Sequence, residues 1–427
     1  MLSTLVTRKI CNFTSRLLIV LAAAVVSAQT TTSAGVRETV LYSFGGGDGA
    51  GPLTGVIADT SGAFYGAAVF GGYAQEGVVF KLTPGKSGYV ESVIYSFTGG
   101  ADGAKPTGIV ADPNGVLYGT TSIGGTHENG TAFKLTPAKS GYTFDLIYSF
   151  RGGSDGSQPI GAPVLDQLGN IYGVTQLGGT RNEGIVFQFT PGESGYTENI
   201  LYSFTGGADG NLPEAGLTID RKGSLYGTTY YGGTADSGTV FRLTWNGQSY
   251  VEETLYSFQG GSDDGQQPFA APTVDERTGD VFGTTQYGGS RRGGVVFKLT
   301  RSGSTYKENV LYAFDCSNYQ AGCYPESQLL LRPDGSLYGT ASLGGGGCNG
   351  IGCGSVYRLL SSGNGYSFQY IYNFGDPANG AEPEWTALII RNEALYGTTR
   401  SGGSKINCGD GGPGGVPGCG VLFRLTR

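Results

Sequence analysis

The chain has 427 residues, among them 79 glycines and a single histidine, and its net charge is −7 at pH 7. An acidic surface repels phosphate backbones, so this composition argues against nucleic-acid binding. The single histidine, His127, excludes a histidine-based zinc site and makes any Ser-His-Asp triad depend on that one residue. We interpret His127 as a variable loop residue.

The first predicted element is a secretory signal peptide at residues 1–28. Basic residues precede the apolar run Leu17–Val26, which is too short to span a bilayer, and a small-residue exit follows at Ala28. A retained membrane anchor is the alternative. We predict a short linker at residues 29–36, a single repeat domain at 37–427, and a secreted or periplasmic mature protein.

An internal repeat dominates the rest of the sequence. The phrase LYSF, or a close variant of it, recurs seven times at intervals of about 53 to 60 residues. Its first residues are Leu41, Ile94, Ile147, Leu201, Leu255, Leu311 and Ile371. Self-similarity at a fixed period of this length indicates a solenoid, a propeller or an array.

Each repeat contains four short apolar runs separated by turn residues. LYSF is followed by a glycine-rich turn closed by proline, an apolar run such as TGVIAD, the phrase YGTT, a loop containing GG, and a run such as GTVFRLT. In TVFRLT, the residues alternate as a two-faced strand requires. We interpret the Tyr-Gly pair as a close contact between sheets, because glycine permits close backbone approach. The pattern predicts four strands per repeat.

The fold class that follows is all-β. Four-stranded units of about fifty residues are typical of propeller blades, and seven of them predict a seven-bladed β-propeller. By analogy with other propellers, we place the TGVIAD strands innermost and the LYSF strands outermost. Residues 37–44 supply a lone LYSF strand that residues 421–427 lack, so we expect the N-terminal strand to complete the last blade. An open β-solenoid is the alternative.

The combined motif YGTT…GG…GTVFKLTP resembles the GloVer tandem repeat of secreted bacterial proteins. The resemblance extends from Glu38 to Thr426. It implies a propeller-like repeat scaffold. Members of that family often carry a C-terminal anchoring segment. This chain stops after its last FRLT, so we expect a freely secreted or periplasmic form.

The cysteines predict three local disulfides. Cys11 lies in the predicted signal peptide, and the six others form three close pairs in sequence. Six cysteines allow fifteen pairings, of which the local one is the simplest. A zinc site made of thiolates is the alternative, but the spacing lacks a CxxC knuckle. The expected pairs are Cys316 with Cys323, Cys348 with Cys353, and Cys408 with Cys419.

Two sets of aspartates recur with the repeat, and we interpret both as turn formers. One set follows LYSF: Asp48, Asp102, Asp155, Asp209 and Asp264. The other set ends the inner strand: Asp59, Asp112, Asp166, Asp220 and Asp275. Calcium at the first set is a weaker alternative, since no D-x-D-x-D ladder is present. We therefore predict no metal site and no cofactor.

Candidate binding residues lie where the repeats differ. We expect the GGxDGxxP and GGT…G loops to open on one face, with the longest loops in repeats six and seven. The candidates there are Tyr231, Tyr319, Tyr324 and Asn349. Three acidic loop residues in neighbouring repeats complete the set: Glu76, Glu128 and Glu183.

No catalytic motif is present, so the sequence favours binding over catalysis. We expect a monomeric repeat scaffold that binds an extracellular glycan or a surface protein, because tyrosines among polar residues suit sugar stacking and hydrogen bonding. A polysaccharide hydrolase or lyase that uses the loop carboxylates is one alternative. A structural spacer of the cell envelope is the other.

Overall fold

The structure is a computed structural model. It describes residues 31–32, 35–86, 88–303, 305–317, 322–363, 365–404, 408 and 416–427. The predicted signal peptide, residues 1–28, lies outside the described residues. The first described element is the short strand Thr31–Thr32.

Seven antiparallel four-stranded sheets follow one another along the chain. The strands of blade 1 are Ile57–Ala58, Phe64–Ala68, Val78–Gly85 and Gly88–Ser96, and those of blade 2 are Ala104–Ala111, Leu117–Ile123, Thr131–Ala138 and Gly141–Ser149. The strands of blade 3 are Ser157–Leu165, Ile171–Leu177, Ile185–Gly192 and Gly195–Ser203, and those of blade 4 are Thr218–Ile219, Leu225–Thr229, Thr239–Trp245 and Tyr250–Ser257. The strands of blade 5 are Thr273–Asp275, Asp280–Thr285, Arg292–Ser302 and Thr305–Asp315, and those of blade 6 are Leu330–Leu331, Leu337–Ala341, Ser355–Ser362 and Gly365–Asn373. The strands of blade 7 are Ile389–Arg391, Ala394–Thr399, Val421–Thr426 and Arg37–Ser43.

Six short elements are additional to these blade strands, three two-residue strands and three 3₁₀ turns. Thr31–Thr32 pairs in parallel with the outer strand of blade 6, and Gly265–Gln266 pairs with Tyr287–Gly288. Single 3₁₀ turns complete the described secondary structure; they are Gly153–Asp155, Cys348–Gly350 and Pro377–Asn379.

The ring closes through the N-terminal strand, as predicted. Arg37–Ser43 pairs with Val421–Thr426, so the last blade takes its outer strand from the start of the described domain. The TGVIAD strands are innermost and the LYSF strands outermost. The molecule is a closed seven-bladed β-propeller rather than an open solenoid.

Each outer strand contains a β-bulge within the LYSF motif. In blade 1, Val93 pairs with Phe80 and Tyr95 pairs with Val79, which leaves Ile94 unpaired. The same register shift occurs in all seven blades, at Leu41, Ile94, Ile147, Leu201, Leu255, Leu311 and Ile371. A bulge changes the direction of the side chains that follow it. The repeated motif therefore sets the direction of its tyrosine and phenylalanine.

The phenylalanine of each LYSF motif packs between blades. Phe44 is fully buried and contacts Phe80 of blade 1 edge to face, with ring centroids 4.8 Å apart. Equivalent pairs join the other blades at about the same spacing, for example Phe97 with Phe133. Burying these rings supplies much of the hydrophobic stabilisation of the ring.

The glycine of YGTT allows a close contact between two strands of the same blade. A Cβ added to Gly66 would lie 2.5 Å from the ring of Phe80, the residue directly opposite it on the next strand. The sequence interpretation had placed this contact between sheets. The structure shows instead that the glycine leaves room for a cross-strand aromatic ring.

Both aspartate sets are turn formers in the structure. Asp102 accepts hydrogen bonds from the Thr98 N–H at 2.9 Å and from the Tyr95 hydroxyl at 3.0 Å. Asp112 accepts from the N–H groups of Asn114 and Val116 at 2.8 and 2.9 Å. The tyrosine of LYSF and the aspartate that follows it thus hold one turn together.

A repeated seam joins each blade to the preceding one. The residue before each motif proline has a positive φ between 51° and 65°; these residues are Gly51, Lys105, Gln158, Leu212, Gln267, Tyr324 and Glu382. Each donates its N–H to a carbonyl of the preceding blade at 2.8 to 3.1 Å. The bond from Gly51 to Cys419, at 3.1 Å, closes the ring. The proline itself packs on a glycine of that blade, as Pro106 does on Gly77.

Three disulfides connect the predicted pairs. Cys316 bonds Cys323, Cys348 bonds Cys353, and Cys408 bonds Cys419. All three lie in the longer loops of the sixth and seventh repeats. Disulfides of this kind are typical of proteins in oxidising compartments.

Candidate functional site

A cavity of about 640 Å³ lies on the axis of the ring. Its wall includes residues of the inner strands, for example Ile57 of blade 1 and Ile389 of blade 7, and residues from all seven blades contribute to it. A volume of this size is typical of small-molecule sites in proteins. Such a cavity exists only when the ring is closed.

The loop end of this cavity is formed by residues next to the seam. The GGxDGxxP turn and the GG loop of each repeat hydrogen-bond to each other, as in the bond from Gly125 to the carbonyl of Gly100 at 2.8 Å. The two loops therefore open on one face, as expected. The residue after each motif proline then points towards the axis, where it lines the cavity or lies directly behind its wall.

Three repeats place a glutamate after this proline. Glu214, Glu326 and Glu384 come from the entries to blades 4, 6 and 7. Each carboxyl group accepts a hydrogen bond from the residue that directly follows a YGTT motif or its variant. The Arg400 guanidinium donates to Glu384 at 2.7 Å, and the amides of Gln176 and Gln286 donate to Glu214 and Glu326 respectively.

Burial shifts the ionisation of these carboxyl groups. It raises the pKa of Glu214 to about 7, although the hydrogen bond from Gln176 acts in the opposite direction. Burial and then the charge of Glu384 raise the pKa of Glu326. Burial also raises the pKa of Glu384, while Arg400 lowers it. Desolvation disfavours the charged form of a carboxyl group, which explains the common direction.

An aromatic pair covers part of the same cavity. Trp385 stacks on Phe269 with ring centroids 5.3 Å apart and an interplanar angle of 27°. Trp385 has a φ of 51°, a backbone conformation that bulky residues rarely adopt. All six other repeats carry a small residue at this position: Thr54, Gly108, Gly161, Ala215, Ala270 and Ser327. An unfavourable backbone beside a cavity suggests a functional reason for the indole.

Two of the sequence-predicted tyrosines lie close to the cavity. Tyr231 packs edge-on against Tyr230, whose hydroxyl donates to Gln286 at 2.8 Å. Tyr324 packs edge-on against Tyr287. The position of Tyr231 corresponds to that of Phe70 in blade 1, since both form an isolated bridge to the seam loop, and Phe70 lines the cavity.

The other predicted residues lie elsewhere. Glu76 and Glu183 use their carbonyls in the seam, and their side chains lie over Gly99 and Gly206 in the turns after the outer strands. Glu128 is exposed and stands one position earlier in its loop, with a φ of 59°. No hydrogen bond or ion pair joins two of these glutamates in the described part of the chain.

Two further candidates can be located only in part. Tyr319 lies outside the described residues. Asn349 falls within the 3₁₀ turn Cys348–Gly350 of a loop stapled by a disulfide.

Sequence reasoning missed the cavity glutamates, although a signal for them exists. The dipeptide Pro-Glu occurs at the fixed proline of repeats four, six and seven, where the other repeats have Leu53, Thr107, Ile160 and Phe269. The tripeptide Glu384-Trp385-Thr386 departs furthest from the repeat consensus. Aligning the repeats on this proline would have identified the axial residues.

The described residues contain neither a metal-binding cluster nor a membrane-spanning helix. Within the described ranges, no group of three or more His, Cys, Asp or Glu side chains is arranged to hold a metal ion. No helix among them has the length and apolar character needed to cross a membrane.

The fold and the axial cavity define a β-propeller built as a tandem-repeat scaffold. The chain belongs to the Gloeobacter/Verrucomicrobia repeat family, whose profile matches residues 26–182 and 160–411. This is the family that the repeat motif resembles. No curated protein matches the chain.

Solved structures share the fold at low sequence identity. A candidate 6-phosphogluconolactonase from Bacteroides uniformis is 11% identical, with a TM-score of 0.53 over 81% of this chain and 90% of that chain. One from Bacteroides fragilis is 13% identical, with a TM-score of 0.52 over 81% and 88%. The extracellular domain of a one-component system from B. thetaiotaomicron is 11% identical, with a TM-score of 0.52 over 90% and 40%. These similarities establish the propeller fold alone.

Proposed function

We propose that this chain is an exported binding module whose axial cavity holds the end of an extracellular glycan. The observation that carries the proposal is the stacked pair Trp385 and Phe269 at a cavity that also contains amide and carboxyl side chains. An aromatic face packs against the C–H groups of a sugar ring, and planar polar side chains bond its hydroxyls.

The polar groups needed for such recognition are present on the wall. Gln158, Gln176 and Gln328 line the cavity together with Glu214 and Glu326. Each amide offers both donors and an acceptor, which suits a hydroxyl that also donates and accepts. The disulfides support an extracellular or periplasmic location, where glycans are available.

The loop tyrosines extend the proposed site towards the rim. Tyr231 is 36% exposed and lies beside Tyr230, and Tyr324 lies beside Tyr287. A longer glycan whose end enters the cavity would leave the ring over these two tyrosines. A surface protein that binds the same loops is the competing ligand, and Trp385→Ala separates the two, because it alters the cavity and leaves the two loop tyrosines unchanged.

The test is calorimetric titration of the mature protein with a panel of soluble oligosaccharides. Trp385→Ala removes the cavity ring, and Tyr73→Ala, at a fully exposed loop tyrosine outside the cavity wall, is the matched control. We expect Trp385→Ala to weaken binding at least about tenfold and Tyr73→Ala to leave it unchanged. Absence of saccharide binding, or equal binding by both variants, would overturn the proposal.

Catalysis on a bound saccharide is the second candidate function. The pKa of about 7 at Glu214 suits a group that exchanges protons near neutral pH, and Glu326 lines the same cavity. Reducing ends released during the titration would support this function. The Glu214→Gln and Glu326→Gln variants would then abolish release without abolishing binding.

A further inference from the structure

We propose that the saccharide recognised in the axial cavity carries an apolar substituent, an alkyl or acyl chain, which binds between the inner strands while the sugar stays at the loop end. The inference rests on the proposed glycan-binding function and adds the chemical class of the ligand. The separation of polar and apolar side chains along the cavity, and the hydrogen bonds that the protein makes within its own wall, support it.

The loop end of the cavity contains its charged side chains. We call this part the polar collar, and it consists of Lys105, Gln158, Gln176, Glu214, Glu326 and Arg400. Each of these residues stands directly beside a motif proline or directly after YGTT or its variant. The four charged residues of the described wall all belong to this collar. Amide, carboxyl and guanidinium groups can bond the hydroxyls of a sugar, so the collar suits the saccharide.

The part of the wall formed by the innermost strands is aliphatic. We call it the aliphatic wall, and its residues are Ile57, Ile109, Val110, Val164 and Ile389. They belong to the innermost strands of blades 1, 2, 3 and 7. Trp385 follows the collar position of blade 7 and precedes Ile389 in the chain, so we place its stacked contact with Phe269 between the collar and the aliphatic wall.

The backbone beside the aliphatic wall already has donors from the protein. The first threonine of the YGTT motif donates its hydroxyl to a carbonyl that precedes the inner strand of the next blade. These bonds join Thr228 to Ala270 at 3.1 Å, Thr284 to Ser327 at 3.2 Å and Thr340 to Pro383 at 2.7 Å. The Thr218 hydroxyl donates to the Pro272 carbonyl at 2.6 Å in the same way. A sugar that entered this part would compete with these threonines.

Two polar side chains near the aliphatic wall also use their donors within the protein. The amide nitrogen of Gln328 lies 3.1 Å from Oγ1 of Thr218 and 3.5 Å from the Pro272 carbonyl oxygen. The Tyr65 hydroxyl donates to Oδ2 of Asp59 at 3.0 Å. Both residues line the cavity. Their donors therefore hold the wall together rather than pointing to a ligand.

The two parts of the cavity favour different chemical groups. A sugar hydroxyl that leaves water without gaining a partner is costly, so the aliphatic wall disfavours a second sugar ring. An alkyl chain gains affinity there, by about fourfold for each methylene that is buried. An unsubstituted glycan would match the collar alone. A saccharide with an apolar chain matches both parts at once.

The experiment is a calorimetric titration of the protein with methyl, butyl and hexyl β-glucoside, each below its micelle-forming concentration. We expect the butyl glucoside to bind about sixtyfold more tightly than the methyl glucoside, because three more methylenes are buried. Trp245→Phe leaves Trp385 as the single tryptophan, since the chain has two. A change in its fluorescence on titration would locate the ligand at the cavity.

The variant that tests the aliphatic wall is Ile57→Thr with Val164→Thr. Both residues pair with the tyrosine of YGTT, as Thr218 does in blade 4, so the variant copies a side chain that another blade carries in the same register. It should reduce the preference for butyl over methyl glucoside at least about tenfold and leave the affinity for the methyl glucoside unchanged.

The matched control is Val90→Thr with Val251→Thr, which makes the same kind of change on outer strands. These valines are 63% and 48% exposed and lie outside the cavity wall. The control should keep the full preference for the longer chain. An equal loss of preference in both double variants would mean that the chain binds to the outer surface, and would overturn the inference.

The remaining outcomes separate the inference from the proposed function. If the three glucosides bind equally and binding still needs Trp385, or if none binds while an oligosaccharide of the panel does, the inference fails and the proposed function survives. Hexan-1-ol is the sugar-free probe. If it binds as tightly as hexyl glucoside, the sugar contributes nothing, and the proposed function fails together with the inference.

Discussion

The indole of Trp385 at the entry to blade 7 stacks on the ring of Phe269 at the entry to blade 5, with centroids 5.3 Å apart. The two residues are separated by a whole blade, so the contact reaches across part of the axial opening. Both residues line the axial cavity. The pair therefore reports on both the fold and the cavity, and it supplies the first prediction.

Replacing Trp385 by glycine should destabilise the protein less than replacing it by alanine. The residue has a φ of 51°, which costs a residue with a Cβ about 1 kcal/mol relative to glycine. Both variants lose the contact with Phe269, so their difference isolates the backbone term. Urea unfolding should show the glycine variant more stable by about 1 kcal/mol, and an alanine variant of equal or greater stability would contradict this.

Substituting Gly420 by alanine should open the ring. A Cβ there would lie 2.2 Å from the Thr399 carbonyl oxygen and 2.8 Å from Cδ of Pro52, where the last blade meets the first. We expect a loss of at least about 3 kcal/mol, together with faster hydrogen exchange in Arg37–Ser43.

The matched control for Gly420 is Gly223→Ala. Gly223 has a φ of 81° and lies in a turn of blade 4, where a Cβ would have nothing within 4 Å. This substitution should cost only about 1 kcal/mol, which is the backbone penalty. Equal losses at the two sites would mean that the seam does not close the ring.

Stability should decrease as the pH rises from about 5 to 9. Burial raises the pKa of four outer-strand glutamates: to about 7 for Glu38 and Glu252, and to about 8 for Glu198 and Glu308. The folded protein then holds protons that the unfolded chain releases above its ordinary pKa near 4.3. The stabilisation is complete below that value and is lost as the pH rises through 7 to 8.

The contacts of Glu198 show why it retains a proton. The Tyr148 hydroxyl lies 2.6 Å from Asp155 and 2.9 Å from Glu198, yet a phenol has one proton to donate. Calorimetric melting temperatures between pH 5 and 9 test the trend. Glu198→Gln with Glu308→Gln should flatten it by about 1 kcal/mol per group after solvent screening. An unchanged profile in this double variant would assign the pH dependence to other groups.

Removing the disulfide between Cys348 and Cys353 should cost about 2 kcal/mol, because the closed loop is short. Both residues are buried, at 6% and 0% exposure, so reductant should act only after local opening. In the presence of reductant, alkylation followed by mass spectrometry should label them after denaturation and not before. Labelling of the native protein without reductant would show that the bond is absent.

The architecture could be predicted because each repeat carries its own turn and strand signals. Alternating strands, Asp-Gly turns and the lone N-terminal LYSF strand predicted the blade number and the closure, whereas the strand order followed from analogy with other propellers. The bulge at Leu41 and its equivalents could not be seen, because a bulge is a property of pairing between strands. The partner of Gly66 was misplaced for the same reason.

The site was harder to predict because the axis is created by the assembled ring. Glu326 and Glu384 follow prolines in loops and look like ordinary surface residues in the sequence. Their burial depends on the convergence of seven inner strands. The loop residues Glu76 and Glu183 vary between repeats, which is typical of a binding site, but the structure uses their carbonyls in the seam.

The residue after the motif proline differs between blades, and each blade contributes one such residue around the axis. In chain order, these residues are Leu53, Thr107, Ile160, Glu214, Phe269, Glu326 and Glu384. The seam beside each of these residues uses only backbone atoms and the proline. The residue itself can therefore change while the seam stays intact. Exchange of one repeat changes one of these seven residues. Ligand preference in such a ring can therefore evolve one blade at a time, independently of the stability of the whole.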